Sequence, residues 1–100
     1  MHLDVNRNDL TVGIIGAGAM GRGIAQVAAA GGMQVLITDS REGAAQETRD
    51  FVEKLFMRAT QKGSMTKDAA AAATARIKVV SGLADFRTCH LVIEAIVENL

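Results

Sequence analysis

GIIGAGAMGRGIA, residues 13–25, places glycines at Gly16, Gly18 and Gly21, between an apolar run and an alanine-rich segment. Each glycine costs roughly 0.5–1 kcal/mol against alanine inside regular structure. A tight turn, close packing or a ligand against the backbone must require them. Upstream, Leu10-Thr-Val-Gly-Ile-Ile15 is short, β-branched and apolar, which predicts a strand buried on both faces, as in parallel sheets. Downstream, Ala19 to Ala30 holds helix formers, with Met20, Ile24, Val27 and Ala28 at helical spacing, and Gly31-Gly32 supplies a stop.

The same alternation continues. Gln34 to Thr38 is a second apolar strand ending at Asp39. Ala44, Thr48, Phe51, Val52, Leu55, Phe56 and Ala59 then share one face of a long helix. Arg49/Glu53 and Asp50/Lys54 are expected to pair on its wet side. After Gly63, Thr66 can cap a short helix through Ala69–Ala73. Ile77 to Val80 reads as a third strand, Ser81 to His90 as a loop with one helical turn, and Leu91 to Ala95 as a fourth strand. The expectation is an α/β, Rossmann-type doubly wound, mostly parallel sheet. It is incomplete: four strands in the order 3-2-1-4, with a helical hairpin between strands 2 and 3. Residues 1–9 form a polar N-terminal extension, and residues 10–100 are expected to be the N-terminal part of a larger domain.

A bare G-x-G-x-x-G is a weak signal. Here a strand precedes it, a helix begins within it, and Asp39 ends the next strand 18 positions after Gly21. That combination is the dinucleotide fingerprint. Gly16 permits the tight turn, Gly18 admits a pyrophosphate to the backbone, and Gly21 lets the helix pack against the sheet. The helix N-terminus offers unpaired N–H groups to the phosphates. Asp39 accepts hydrogen bonds from the adenosine ribose and repels a 2′-phosphate, which favours NAD over NADP. A cap of the following helix is the alternative for Asp39, and a glycine-rich turn without a ligand is the alternative for the motif. Gly13 leaves room for a neighbouring side chain. Arg22 either reaches a phosphate or is a solvated surface arginine.

Composition excludes several function classes. The chain has 100 residues, 11 basic and 11 acidic, for a formal net charge of zero, which gives nucleic acid no support as a partner. No apolar run reaches the roughly 18 residues needed to span a membrane. MHLDVNRNDL lacks the apolar core of a secretory signal. The single Cys89 cannot form an internal disulfide, so a reducing, cytoplasmic location is expected.

Residues 13–39, KGSMTKDAAAAATARIKVV (62–80) and LVIEAIVENL (91–100) together resemble the N-terminal NAD-binding domain of the L-3-hydroxyacyl-CoA dehydrogenase family. EAIVEN, residues 94–99, is the narrower part of the match. The resemblance implies hydride transfer between the 3-hydroxyl of an acyl-CoA and NAD. It implies that Gly16, Gly18 and Gly21, with the backbone at Ala19 and Met20, hold the pyrophosphate. Asp39 would bind the adenosine ribose, Ala95 and Ile96 would line the cofactor cleft, and Glu98 would reach the nicotinamide-side ribose. Lys62, on the hairpin, is a weak candidate for the CoA, with a solvated lysine as its alternative. Relatives often carry an acidic residue where Cys89-His90 stands. The catalytic His and Glu of the family, and the C-terminal domain through which it dimerises, are not in these residues, so the chain alone is expected to be inactive. A related β-hydroxyacid dehydrogenase and a non-catalytic NAD-binding module are the alternatives; a flavin-binding domain is a weaker one.

Overall fold

The computed structural model describes residues 10–95. Ile96 and Glu98 therefore lie outside the described residues. Four strands, β1 (Thr11–Ile15), β2 (Gln34–Thr38), β3 (Ile77–Val79) and β4 (Leu91–Glu94), form one sheet in the order β3-β2-β1-β4. Every neighbouring pair is parallel; Val12 stands opposite Val35 and Leu91, and Ile14 opposite Ile37 and Ile93. This is the expected topology, with the break in strand order between β1 and β4, where open α/β sheets bind ligands.

Three helices cross over: α1 (Ala19–Ala30), α2 (Ala44–Gln61) and α3 (Lys67–Ala75). The side chains of β1 and β2 alternate. Val12, Ile14, Val35 and Ile37, all buried, turn toward the core they share with the helices. Gly13 turns the other way. A Cβ there would meet Cys89 Sγ at 2.9 Å and the Phe86 ring at 3.2 Å, so the missing side chain makes room for the short helix η1 (Leu83–Thr88) and the residue after it. Burial pushes the Cys89 thiol pKa up.

The helix ends follow their chemistry. Thr66 Oγ1 accepts from Ala69 N at 3.1 Å and caps α3 as expected. Gly32, at φ 97°, turns the chain out of α1 toward β2. None of the described helices is long and apolar enough to cross a membrane.

Packing departs from the sequence pattern in three places. The stripe of α1 that is buried is Gly21, Ala25, Ala28 and Ala29; Met20 is 58% and Val27 73% exposed. Small residues let the helix axis approach the sheet, so the contact stripe moves one residue round and leaves the larger side chains on the flank. Phe51 is likewise exposed on α2, whose inner face is Ala44, Ala45, Thr48, Val52 and Phe56. Arg49 does not serve a surface pair. Its Nε donates to Ile77 O at 2.9 Å, and Nη2 donates to Thr74 O, so it fastens α2 to the junction of α3 and β3.

Candidate nucleotide-binding site

At the carboxyl ends of the strands an open cleft of about 360 Å³ is walled by the glycine-rich turn, Asp39, Arg41 and Ala95. Its floor is built by backbone conformation. Gly16 has φ 110°, a region that side chains avoid, and its N–H donates to Thr38 O at 2.9 Å. This turns the chain sharply at the end of β1. A Cβ on Gly21 would lie only 2.1 Å from Gly16 O, so α1 can start at this depth only with glycine there. Gly18 differs from both. A Cβ there would meet nothing within 4 Å, so the fold itself does not require glycine at this position. The space beside it belongs to the cleft.

The N-terminus of α1 is open. Its N-cap Gly18 supplies no side-chain hydrogen bond, and no acidic residue stands in the first turn. The N–H groups of Ala19, Met20 and Gly21 have no partner inside the helix. They add to the positive end of the helix dipole, which suits an anion. α3, by contrast, closes its own end with Thr66.

Asp39 joins the two turns that border the cleft. Oδ2 accepts from Ala17 N at 2.7 Å, and Oδ1 accepts from Arg41 N at 2.7 Å. The helix-cap alternative for Asp39 does not hold, since the N-cap of α2 is Gly43. The N–H of Arg41 is the main cause that holds the Asp39 carboxyl below its usual pKa; the N–H of Ala17 and the Arg41 charge add to it, and burial opposes them. Asp39 is therefore ionised at neutral pH. A carboxylate has about four lone-pair sites, so two remain for hydroxyl donors after the backbone bonds.

In the sequence Thr48 stands only as one member of the shared face of its helix. Its buried Oγ1 donates to Ala17 O at 2.8 Å. Ala17 is thus held through its N–H by Asp39 and through its carbonyl by Thr48. A threonine on the inner face of a helix, one turn after the start, was the signal available in the sequence. Arg22 lies over the Phe51 ring, 4.3 Å from its centroid, which explains the exposed phenylalanine.

Of the other sequence candidates, Ala95 is buried at the cleft, its N–H donating to Ile15 O at 2.8 Å. Ala19 and Met20 stand at the start of α1 with exposed side chains, and their N–H groups are among those without a partner inside the helix. Lys62 is the C-cap of α2, whose 18 residues separate it by about 27 Å from the end nearest the cleft. The structure does not bring Lys62 to the other candidates. His90 sits at the start of β4, its Nδ1 accepting from Thr11 N at 3.0 Å, at the far edge of the sheet from the cleft.

The family model described as 3-hydroxyacyl-CoA dehydrogenase, NAD binding domain, matches residues 11–100. The chain belongs to this family, as its NAD-binding domain. It is 44% identical over 87 residues to a probable 3-hydroxybutyryl-CoA dehydrogenase of Deinococcus radiodurans, covering 87% of this chain and 31% of that protein. It is 34% identical over 98 residues to the fatty acid oxidation complex subunit alpha of Pseudomonas entomophila, covering 98% of this chain and 14% of that protein. The crystal structure of (S)-3-hydroxybutyryl-CoA dehydrogenase from Ralstonia eutropha superposes with a TM-score of 0.83 at 40% identity, over 90% of this chain and 32% of that one. The NAD-binding domain described here thus spans about a third of the length of these 3-hydroxybutyryl-CoA dehydrogenases. Its cofactor is NAD, and the cleft fits it: an open helix N-terminus, a glycine with vacant space beside it and an ionised carboxylate lie side by side.

Proposed function

We propose that this chain supplies the NAD-binding half-site of a 3-hydroxyacyl-CoA dehydrogenase. Gly16, Gly18 and Gly21, with the N–H groups at Ala19 and Met20, bind the pyrophosphate, and Asp39 binds the adenosine ribose. Ala95 lines the cleft beyond β4. Ile96 and Glu98 are proposed for the same cleft, Glu98 toward the nicotinamide-side ribose. The observation that carries this reading is the double attachment of Ala17 by Asp39 and Thr48. It fixes the phosphate turn against the ribose carboxylate before any ligand arrives, which lowers the ordering cost of binding.

Bound NAD would supply the acceptor for a hydride from the carbon that carries the 3-hydroxyl of an acyl-CoA. The chain's own part is to bind and orient. Asp39 fixes the ribose by accepting its hydroxyls, and the α1 N-terminus offsets phosphate charge. The names of the two 3-hydroxybutyryl-CoA dehydrogenases favour acyl-CoA over free hydroxyacids. The 31% share of the relatives' length supports reading residues 10–100 as the N-terminal part of a larger enzyme. A contact of Lys62 with the CoA, a homodimer formed through a C-terminal domain and a cytoplasmic location belong to the same proposal.

Calorimetric titration with NAD tests it. Asp39→Ala should weaken binding about ten- to a hundredfold, since hydrogen bonds to a charged group are worth roughly 1.5–3 kcal/mol. Undiminished affinity in that variant would reject the ribose role.

A further inference from the structure

Arg41 stands where the ribose carboxylate of the proposed site ends. Its Nε lies 3.5 Å from Asp39 Oδ1, and its side chain is 72% exposed while that of Asp39 is 11% exposed. Arg41 also borders a second hollow, on the α1–α2 side of the glycine-rich turn, together with Arg22 and Glu47. A group projecting away from the sheet from a ribose bound at Asp39 would meet the Arg41 guanidinium as well as the carboxylate. These two charges act oppositely on a 2′-phosphate: the carboxylate repels it, and a planar guanidinium is the side chain best suited to hold it. We propose that Arg41 tempers the cofactor selectivity that Asp39 sets at this site. It offsets the repulsion that Asp39 exerts on a 2′-phosphate, and once the Asp39 charge is removed it becomes the ligand of that phosphate.

The geometry supports a specificity role over a purely structural one. The turn after β2 is fixed by the backbone N–H of Arg41, which donates to Asp39 Oδ1 at 2.7 Å. The side chain is not needed for that bond. The guanidinium adds one ion pair at 3.5 Å whose arginine is largely solvated, and such a pair is worth little to stability. Most of its length lies in solvent at the rim of both hollows.

The inference rests on the proposed role of Asp39 in binding the ribose, and the test separates the two. NAD and NADP differ only in the 2′-phosphate. Each is titrated into the isotope-labelled chain and followed by amide shifts, which read millimolar affinities. The proteins are the unchanged chain, Arg41→Ala, Asp39→Asn and the double variant. Asparagine keeps an acceptor for Ala17 N or Arg41 N and removes the charge, and unshifted amides of β2 and α2 establish that each variant is folded.

The expected result is that Arg41→Ala weakens NADP about threefold and leaves NAD nearly unchanged. Asp39→Asn should bring NADP to parity with NAD or beyond. The double variant should lose about tenfold of that NADP affinity. The NADP gain should shrink as salt rises. Amide shifts at residues 16–21 with a selectivity that ignores Arg41 in both backgrounds would overturn the inference and leave the site reading intact. No shift at those residues with either dinucleotide would overturn both.

Discussion

Asp39 Oδ2 accepts the N–H of Ala17 at 2.7 Å, across 22 residues of sequence. The bond ties the end of β2 to the middle of the glycine-rich turn. The carboxylate expected to meet a ribose also shapes the loop expected to meet the phosphates. The two halves of the fingerprint are thus one mechanical unit.

Thr48 completes that unit from the other side, which gives the first prediction. Thr48→Val keeps the shape of a residue that is 2% exposed and leaves Ala17 O without its donor. A buried acceptor left unpaired costs about 1–3 kcal/mol. Thermal unfolding should show a fall of several degrees, and NAD affinity should drop although Thr48 touches no ligand. An unchanged melting temperature would show that the bond is not formed in solution.

Gly18 and Gly21 should separate binding from folding. A side chain at Gly18 meets no protein atom, so Gly18→Val should retain helical circular dichroism and lose nucleotide binding. Gly21→Ala drives a methyl to 2.1 Å from Gly16 O, and that carbonyl belongs to a turn already pinned to Thr38. Overpacking typically costs about 1–3 kcal/mol and occasionally more, and a rigid backbone neighbour puts this site at the high end. The alanine variant should melt far below the unchanged chain. Equal stability of the two variants would contradict the packing.

Acid should loosen the same unit. The folded-state pKa of Asp39 lies below its ordinary value of 3.8, mainly because the N–H of Arg41 favours the charged form. A depressed carboxyl contributes stability that is present above its unfolded pKa and is lost as pH falls through the folded one. Between about pH 5 and pH 3 the unchanged chain should therefore lose more stability than Asp39→Asn. Parallel curves for the two, from chemical denaturation at each pH, would remove Asp39 as the cause.

Catalysis should be absent from the chain on its own. Proton removal from an alcohol needs a base within about 3 Å of the hydroxyl. Among the described residues that border the cleft, the titratable groups are Asp39, which is a weakened base, and Arg41. His90 stands at the start of β4, roughly 16 Å along the strand direction from Ala95, and accepts a backbone bond there. Absorbance of NADH mixed with acetoacetyl-CoA should stay at the blank. Turnover that disappears in His90→Ala would reverse this placement.

The sequence by itself determined the order of elements, the parallel sheet and the position of the glycine-rich turn. These depend on local chemistry: β-branched runs for Thr11–Ile15 and Gln34–Thr38, alanine-rich segments for Ala19–Ala30 and Lys67–Ala75, a one-faced helical pattern for Ala44–Gln61, and glycine where φ is positive or a Cβ would collide. Tertiary structure decided what each side chain does. The pattern of Met20, Ile24, Val27 and Ala28 marked a helix; Ala28 is buried and Ile24 packs against the core, but Met20 and Val27 are exposed and the small residues Gly21, Ala25 and Ala29 complete the buried stripe. Arg49 carried the spacing of a surface pair and instead caps two carbonyls of another segment. Thr48 looked like part of an apolar stripe and holds Ala17. Hydrogen bonds between residues 22–31 positions apart leave no periodic trace in a sequence, because they depend on how closely two elements approach, and that distance is set only when the whole core packs.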